Sequence, residues 1–125
     1  MNLLLDTHVL LWWLDDNPIL SEKAKRAISN PDNIVFISAA VIWEIRIKQA
    51  LGKLVIPDNF LEVLTQESFE MLNITLYHAD AIKELPFHHR DPFDRMLIAQ
   101  AKVEGLTLVT RDRHLRKYKV EVLEA

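Results

Sequence analysis

An α/β fold with a central, mostly parallel sheet of four to five short strands and helices on both faces is predicted by three features of the sequence. Short runs that are apolar at consecutive positions recur along the chain. The segments between them carry helical spacing with start and stop signals, and the two kinds of segment alternate. Continuous apolar runs suit strands covered on both faces. Parallel neighbours need crossover connections, which the alternating helices supply.

The first run, Leu3 to Leu5, is closed by Asp6 and followed by a short amphipathic segment rich in leucine and tryptophan. Asn30-Pro31-Asp32-Asn33 is a stop signal before the second run, Ile34 to Ile37. Ser38 to Leu51 has helical spacing and is largely apolar, with Glu44 interrupting it. The stretch from Ala50 to Glu70, punctuated by Gly52 and Pro57, reads as helix, turn and helix lying away from the sheet. Met71 to Ile74 predicts a third strand. Asp91-Pro92-Phe93-Asp94 opens a helix that Gly105 ends, with the cap at Asp91 and proline at the first helical position. Leu106 to Val109 and Val120 to Val122 supply the last two strands, with Asp112 opening a segment between them.

The overall numbers restrict the setting. A chain of 125 residues that is 50% hydrophobic fits one domain over residues 1–125 with a real core. A formal charge of −3 excludes a protein that grips nucleic acid through bulk positive charge, so a polyanion must be met by a local patch. The chain has no cysteine, which excludes disulfides and thiolate metal sites and fits a reducing cytoplasm. No apolar run approaches ~20 residues and no leader pattern opens the chain, so the expected protein is soluble, cytoplasmic and independent of membranes. Asn73-Ile74-Thr75 matches a glycosylation acceptor, a chance match in a chain that is not exported.

In an open parallel sheet, the strand C-termini and the following helix N-termini share the edge where ligands bind. Asp6 and Asp112 belong to that edge, and each also has a plain reading as a helix N-cap. Asp91 is explained well by capping alone. Asp94, in the first helical turn, is favoured by the macrodipole and also aimed at the same edge. Glu44 has an ordinary alternative as half of an exposed pair with Lys48 at the i, i+4 spacing. Co-location favours the site reading: four buried or half-buried carboxylates repel one another and take up protons unless a cation compensates them. Oxygen ligands without sulfur suit Mg2+ or Mn2+. Thr7 and Thr110 stand beside these acids, placed either to orient ligands or to cap helices.

These residues resemble the PIN-domain ribonucleases and, within them, the toxins of VapBC-type toxin–antitoxin pairs. The resemblance spans nearly the whole chain. It is carried by Leu4-Leu5-Asp6-Thr7-His8, by Ser38 through Trp43-Glu44-Ile45, by His89 to Ala101 around Asp94, and by Thr110-Arg111-Asp112. The resemblance implies a PIN-like three-layer sandwich, with the family's acidic ligands falling on Asp6, Glu44, Asp94 and Asp112. It implies hydrolysis of RNA with one or two magnesium or manganese ions, leaving 5′-phosphate and 3′-hydroxyl ends, on targets such as transfer RNA. It further implies a homodimer and a cognate antitoxin whose helix lies in an apolar groove and brings a basic side chain to the acidic site.

A path for RNA needs positive charge. The densest supply is Arg111, Arg113, Arg116, Lys117 and Lys119, which Arg46, Lys48 and Arg95 could extend, although single charges of this kind usually form a solvated face. His88, His89 and Arg90 precede the Asp94 helix, as phosphate contacts or as exposed residues. Trp12, Trp13 and Trp43 read as core or interface rather than as base-stacking platforms. Leu11, Trp12, Leu14, Ile47, Leu51, Leu54 and Phe60 supply candidate interface positions. A phospho-receiver domain is excluded because the second strand runs into Ser38-Ala39 without an acceptor aspartate. An aspartyl phosphatase is excluded because Asp6-Thr7-His8 lacks its Asp-x-Asp. The remaining alternative is a catalytically idle PIN fold serving as an RNA-binding or protein-interaction module.

Overall fold

The computed structural model describes residues 1–88 and 90–125. Among these residues, five strands form one sheet: β1 (Asn2–Leu5), β2 (Ile34–Ser38), β3 (Glu70–Leu72), β4 (Thr107–Thr110) and β5 (Val122–Glu124). Their spatial order is β3-β2-β1-β4-β5, and every neighbouring pair is parallel. Leu3, Leu4 and Leu5 all have zero exposure although successive side chains point to opposite faces, so both faces of β1 are covered. That burial is the physical meaning of the continuous apolar run.

Among the described residues, six α-helices fill the connections: α1 (Thr7–Leu14), α2 (Glu22–Ser29), α3 (Ala39–Ala50), α4 (Phe60–Gln66), α5 (Leu76–Ala81) and α6 (Pro92–Glu104). A 3₁₀ turn, Arg113–Lys117, links β4 to β5. The chain runs outward from β1 through β2 to β3, then crosses back to β4 on the other side of β1. Right-handed crossovers in opposite directions place their helices on opposite faces, giving the three-layer sandwich. The same reversal creates a crevice at the C-terminal ends of β1 and β4, where Asp6 and Asp112 emerge.

Most predicted boundaries agree within two residues. The third strand begins at Glu70 and stops at Leu72, so Asn73 and Ile74 fall outside it; Thr75 instead caps α5. The stretch after Ala50 forms the expected second helix, α4, and packs on the body of the protein. Ile56, Phe60 and Leu64 are buried in the core cluster, because the apolar residues of this segment meet the core rather than water. Trp12 and Trp13 pack partly buried against that core, whereas Trp43 is 58% exposed and meets the Phe93 ring edge-on at 5.1 Å.

Leu4 lies on the central strand with no exposed surface, so Leu4→Ala leaves a cavity between two covered faces. The expected destabilisation is ~2–5 kcal/mol, read from urea unfolding. A loss well below 1 kcal/mol contradicts the three-layer burial of β1.

Candidate active site

Each acid reaches the crevice through a local structural requirement. Asp6 ends β1 and caps α1, accepting a hydrogen bond from the Val9 amide through Oδ1 at 2.9 Å. Its Oδ2 accepts from the Thr110 hydroxyl. Asp112 follows β4, and its carboxylate accepts from the His114 amide at 2.9 Å while its own amide donates to Thr110 Oγ1 at 3.0 Å. Thr110, fully buried, therefore ties Asp6 to Asp112. The Ser38 hydroxyl accepts from the Ala40 amide and starts α3, which carries Glu44 inward on its second turn.

Glu44 is 4% exposed, which rules out the solvated reading of its pair with Lys48. Its Oε1 accepts from the Thr7 hydroxyl, and its Oε2 faces the Lys48 ammonium at 2.7 Å. Both threonines thus hold carboxylates. Asp91 caps α6 as expected, accepting from the Phe93 and Asp94 amides through Oδ1. Asp94 then stands half-buried in the first helical turn. All four predicted acids and Asp91 line one cleft of about 310 Å³, together with Thr7, His8, Trp12, Lys48 and Arg111.

Burial first, and then the concentration of negative charge, governs the electrostatics of this cleft. The Asp94 carboxyl is pushed up to about 8, first by loss of hydration and then by the charges of Asp91, Glu44, Asp6 and Asp112. Asp6 is also raised by burial, against the opposing hydrogen bonds from Thr110 and Val9. Among the described residues, no three carboxylate or imidazole groups converge on a single ion position as they stand. The acids surround the cleft rather than closing on a point. Their chemistry fits a hard divalent cation: the donors are all oxygens, gathered around one cleft.

The predicted cations separate into different roles. Arg95 does not reach the cleft. It is 6% exposed, donates to the Pro86 carbonyl at 2.8 Å, to the Leu85 carbonyl and to the Tyr118 hydroxyl, and lies over the Phe87 ring. This commitment corrects its assignment to substrate: Arg95 braces the approach to α6. Arg111 lines the cleft, but it stacks over Trp12 and donates to the Ile19 and Ala125 carbonyls. Arg113 is exposed on the 3₁₀ turn, and Arg116 pairs with Glu124 on β5. Arg46 lies over Phe60 and bonds Gln49. His88 is edge-on to Tyr118, Arg90 is exposed, and His89 lies outside the described residues.

A second cleft, of about 380 Å³, is lined by Leu11, Trp12, Leu14, Leu54 and Phe60 among others. Five of the candidate interface residues thus meet there. Ile47 and Leu51 lie elsewhere, exposed with Trp43 along one face of α3.

Comparison with known proteins agrees with this architecture. The PIN domain model matches residues 3–121. The chain belongs to the PIN-domain family. This PIN protein is 35% identical to ribonuclease VapC22 of Mycobacterium tuberculosis over 125 residues, 93% of this chain and 91% of the relative. Its fold matches the crystal structure of VapBC2 from Rickettsia felis bound to a promoter DNA fragment, with a TM-score of 0.76 and 16% identity over 99% of this chain and 98% of that one. It also matches DNA-bound VapBC from Salmonella typhimurium, with a TM-score of 0.71 and 20% identity over the same shares. Resemblance at that identity concerns the fold.

The raised acids give a pH dependence with a definite sign. Between the unfolded value near 4 and the folded value of about 8, the native Asp94 holds a proton that the unfolded chain has lost. Its contribution is complete at low pH and disappears as pH rises through about 8, so stability falls over that window. In chelator, the melting temperature of this PIN protein is expected to drop between pH 5 and 8 more steeply than that of Asp94→Asn. Parallel profiles for the two proteins contradict the assignment.

Proposed function

We propose that this PIN-domain protein is a metal-dependent endoribonuclease, acting in the cytoplasm as a toxin neutralised by a cognate antitoxin. The observation that carries the reading is the crowding of Asp6, Glu44, Asp94 and Asp112 around one cleft, with Asp94 raised to about 8 by burial and by the neighbouring negative charges. The relationship to ribonuclease VapC22 supplies the substrate class, and the likeness to VapBC complexes supports the antitoxin. No helix among the described residues is long and apolar enough to cross a membrane.

Asp6 and Asp94 are the best candidates for direct metal ligands, with Glu44 and Asp112 completing a site for one or two magnesium or manganese ions. When bound, such an ion polarises the phosphoryl group and activates the attacking water for in-line displacement. The chain's own work is positioning. Thr110 fixes Asp6 through Oδ2, Thr7 fixes Glu44 through Oε1, and the Asp91 cap sets the first turn that presents Asp94. Arg113 and Arg116, on the exposed turn after Asp112, are the arginines best placed to meet an RNA backbone, with Arg111 acting as the wall between that turn and the cleft. Transfer RNA or another structured RNA is the proposed target.

For partners, the cleft of Leu11, Trp12, Leu14, Leu54 and Phe60 suits the apolar face of an antitoxin helix, and it shares Trp12 with the acidic cleft. The exposed face of α3, with Trp43, Ile47 and Leu51 one turn apart, suits self-association as a homodimer.

Incubation of antitoxin-free protein with a mixed RNA pool is expected to give cleavage in magnesium or manganese and none in chelator. Asp6→Asn and Asp94→Asn are expected to lower the rate by at least ~100-fold while remaining folded, the scale of losing a principal electrostatic contributor. RNA binding without cleavage by the wild type, persisting in Asp94→Asn, supports the idle binding module instead. Separately, Leu51→Asp places a charge in the proposed dimer face, and sedimentation is expected to show a shift toward monomer. An unchanged size distribution removes α3 from the interface.

A further inference from the structure

Lys48 lies one helical turn beyond Glu44 on α3, with its ammonium 2.7 Å from Glu44 Oε2. On an exposed helix such an i, i+4 pair contributes little. Here the carboxylate side chain is 6% exposed, the lysine side chain is 32% exposed, and both line the cleft that also holds Asp6, Asp91, Asp94 and Asp112. The hydrogen bond to Glu44 holds the ammonium firmly charged against partial desolvation, and the fields of Glu44, Asp91 and Asp94 add to that effect.

Among the described residues, the other basic groups on the cleft wall are His8 and Arg111. His8 is exposed and stacks on Trp12. Arg111 has its Nε and Nη2 directed at backbone carbonyls and its plane over the same Trp12 ring. Lys48 thus bonds directly to one of the four predicted metal-binding acids. A single positive charge cannot balance this cluster, but it occupies an oxygen, Glu44 Oε2, that a divalent ion would use. The flexible lysine stem and its partial exposure allow the ammonium to leave.

We propose that Lys48 is a built-in counter-ion of the acidic site, holding Glu44 in place before metal binds and competing with the divalent ion for Glu44 Oε2. Lys48 is thus a positioning residue that raises the metal concentration the site requires. This inference rests on the metal-binding reading of the proposed function, but its test needs no RNA.

The test is titration of the purified protein with manganese, following free Mn2+ by electron paramagnetic resonance, for wild type, Lys48→Met and Lys48→Arg. Lys48→Met is expected to bind Mn2+ about tenfold more tightly, equivalent to ~1.4 kcal/mol, while melting at a lower temperature in chelator and recovering when Mn2+ is added. Lys48→Arg, which keeps the charge, is expected to stay near wild type in affinity. Lys48→Gln replaces Lys48→Met if the latter fails to fold. A merely structural lysine would lower stability in both chelator and manganese without tightening the metal. Equal or weaker Mn2+ binding by the charge-removed variant overturns the inference. Tight Mn2+ binding without RNA cleavage by the wild type would instead count against the nuclease reading and leave the counter-ion role standing.

Discussion

Mutual repulsion among carboxylates at the end of an apolar sheet is the constraint on which the rest of this structure depends. β1 is sealed on both faces by leucines, so Asp6 leaves a region of low dielectric at the point where the chain turns into α1. Asp94, Asp112 and Glu44 are brought to the same cleft by three other elements. In water, acids this close would separate. Here the sheet and helices prevent separation, and the remaining outlets are proton uptake, hydrogen bonding and a cation. The structure shows hydrogen bonding directly, in the threonine contacts, and burial pushes Asp94 and Asp6 toward proton uptake.

The backbone shares this arrangement. Asp6, Asp91 and Asp112 each satisfy amides at a helix or turn start, so the same oxygen that caps also fixes the direction in which the carboxylate leaves the chain. Capping and site formation were competing explanations only while each acid was considered alone. In three dimensions one requirement produces the other: the strand end, the cap and the crevice coincide in a parallel sheet. Asp91 marks the boundary of this logic, because its cap helps to present Asp94 and its charge also helps to raise it.

Legibility in the sequence follows from how local each determinant is. Leu3 to Leu5, Ile34 to Ile37 and the capped helix from Pro92 to Gly105 were readable because burial on both faces, proline at the first turn and a left-handed glycine at the end leave short-range signatures. The meeting of the four acids at one cleft was readable from element order and the resemblance together. Arg95, Trp43 and Lys48 were not. Arg95 and Asp94 are adjacent in sequence but leave α6 in different directions, and the carbonyls that hold the arginine come from a loop about nine residues earlier. Trp43 and Glu44 likewise point to different environments, one exposed and one buried, which an apolar run does not distinguish. For Lys48 the spacing was visible, but its meaning depended on the burial of its partner.

Net charge then explains why the cations are distributed as they are. A protein carrying −3 overall, with its acids concentrated in one cleft, repels a nucleic acid at the point where catalysis is proposed to occur. Scattered positive charge would not remove that barrier, because screening weakens it beyond roughly 10 Å. Compensation has to be local and of two kinds. Inside the cleft, Lys48 lowers the field without eliminating it. Outside it, Arg113 and Arg116 stand on the turn that Asp112 itself caps, so the residues that would attract phosphate are tied in sequence to an acid of the site. The Arg116 pair with Glu124 is exposed and therefore cheap to exchange for a phosphate contact. An acidic protein can in this way be proposed to act on a polyanion, provided that cation binding in the cleft comes before the approach of the chain it cuts.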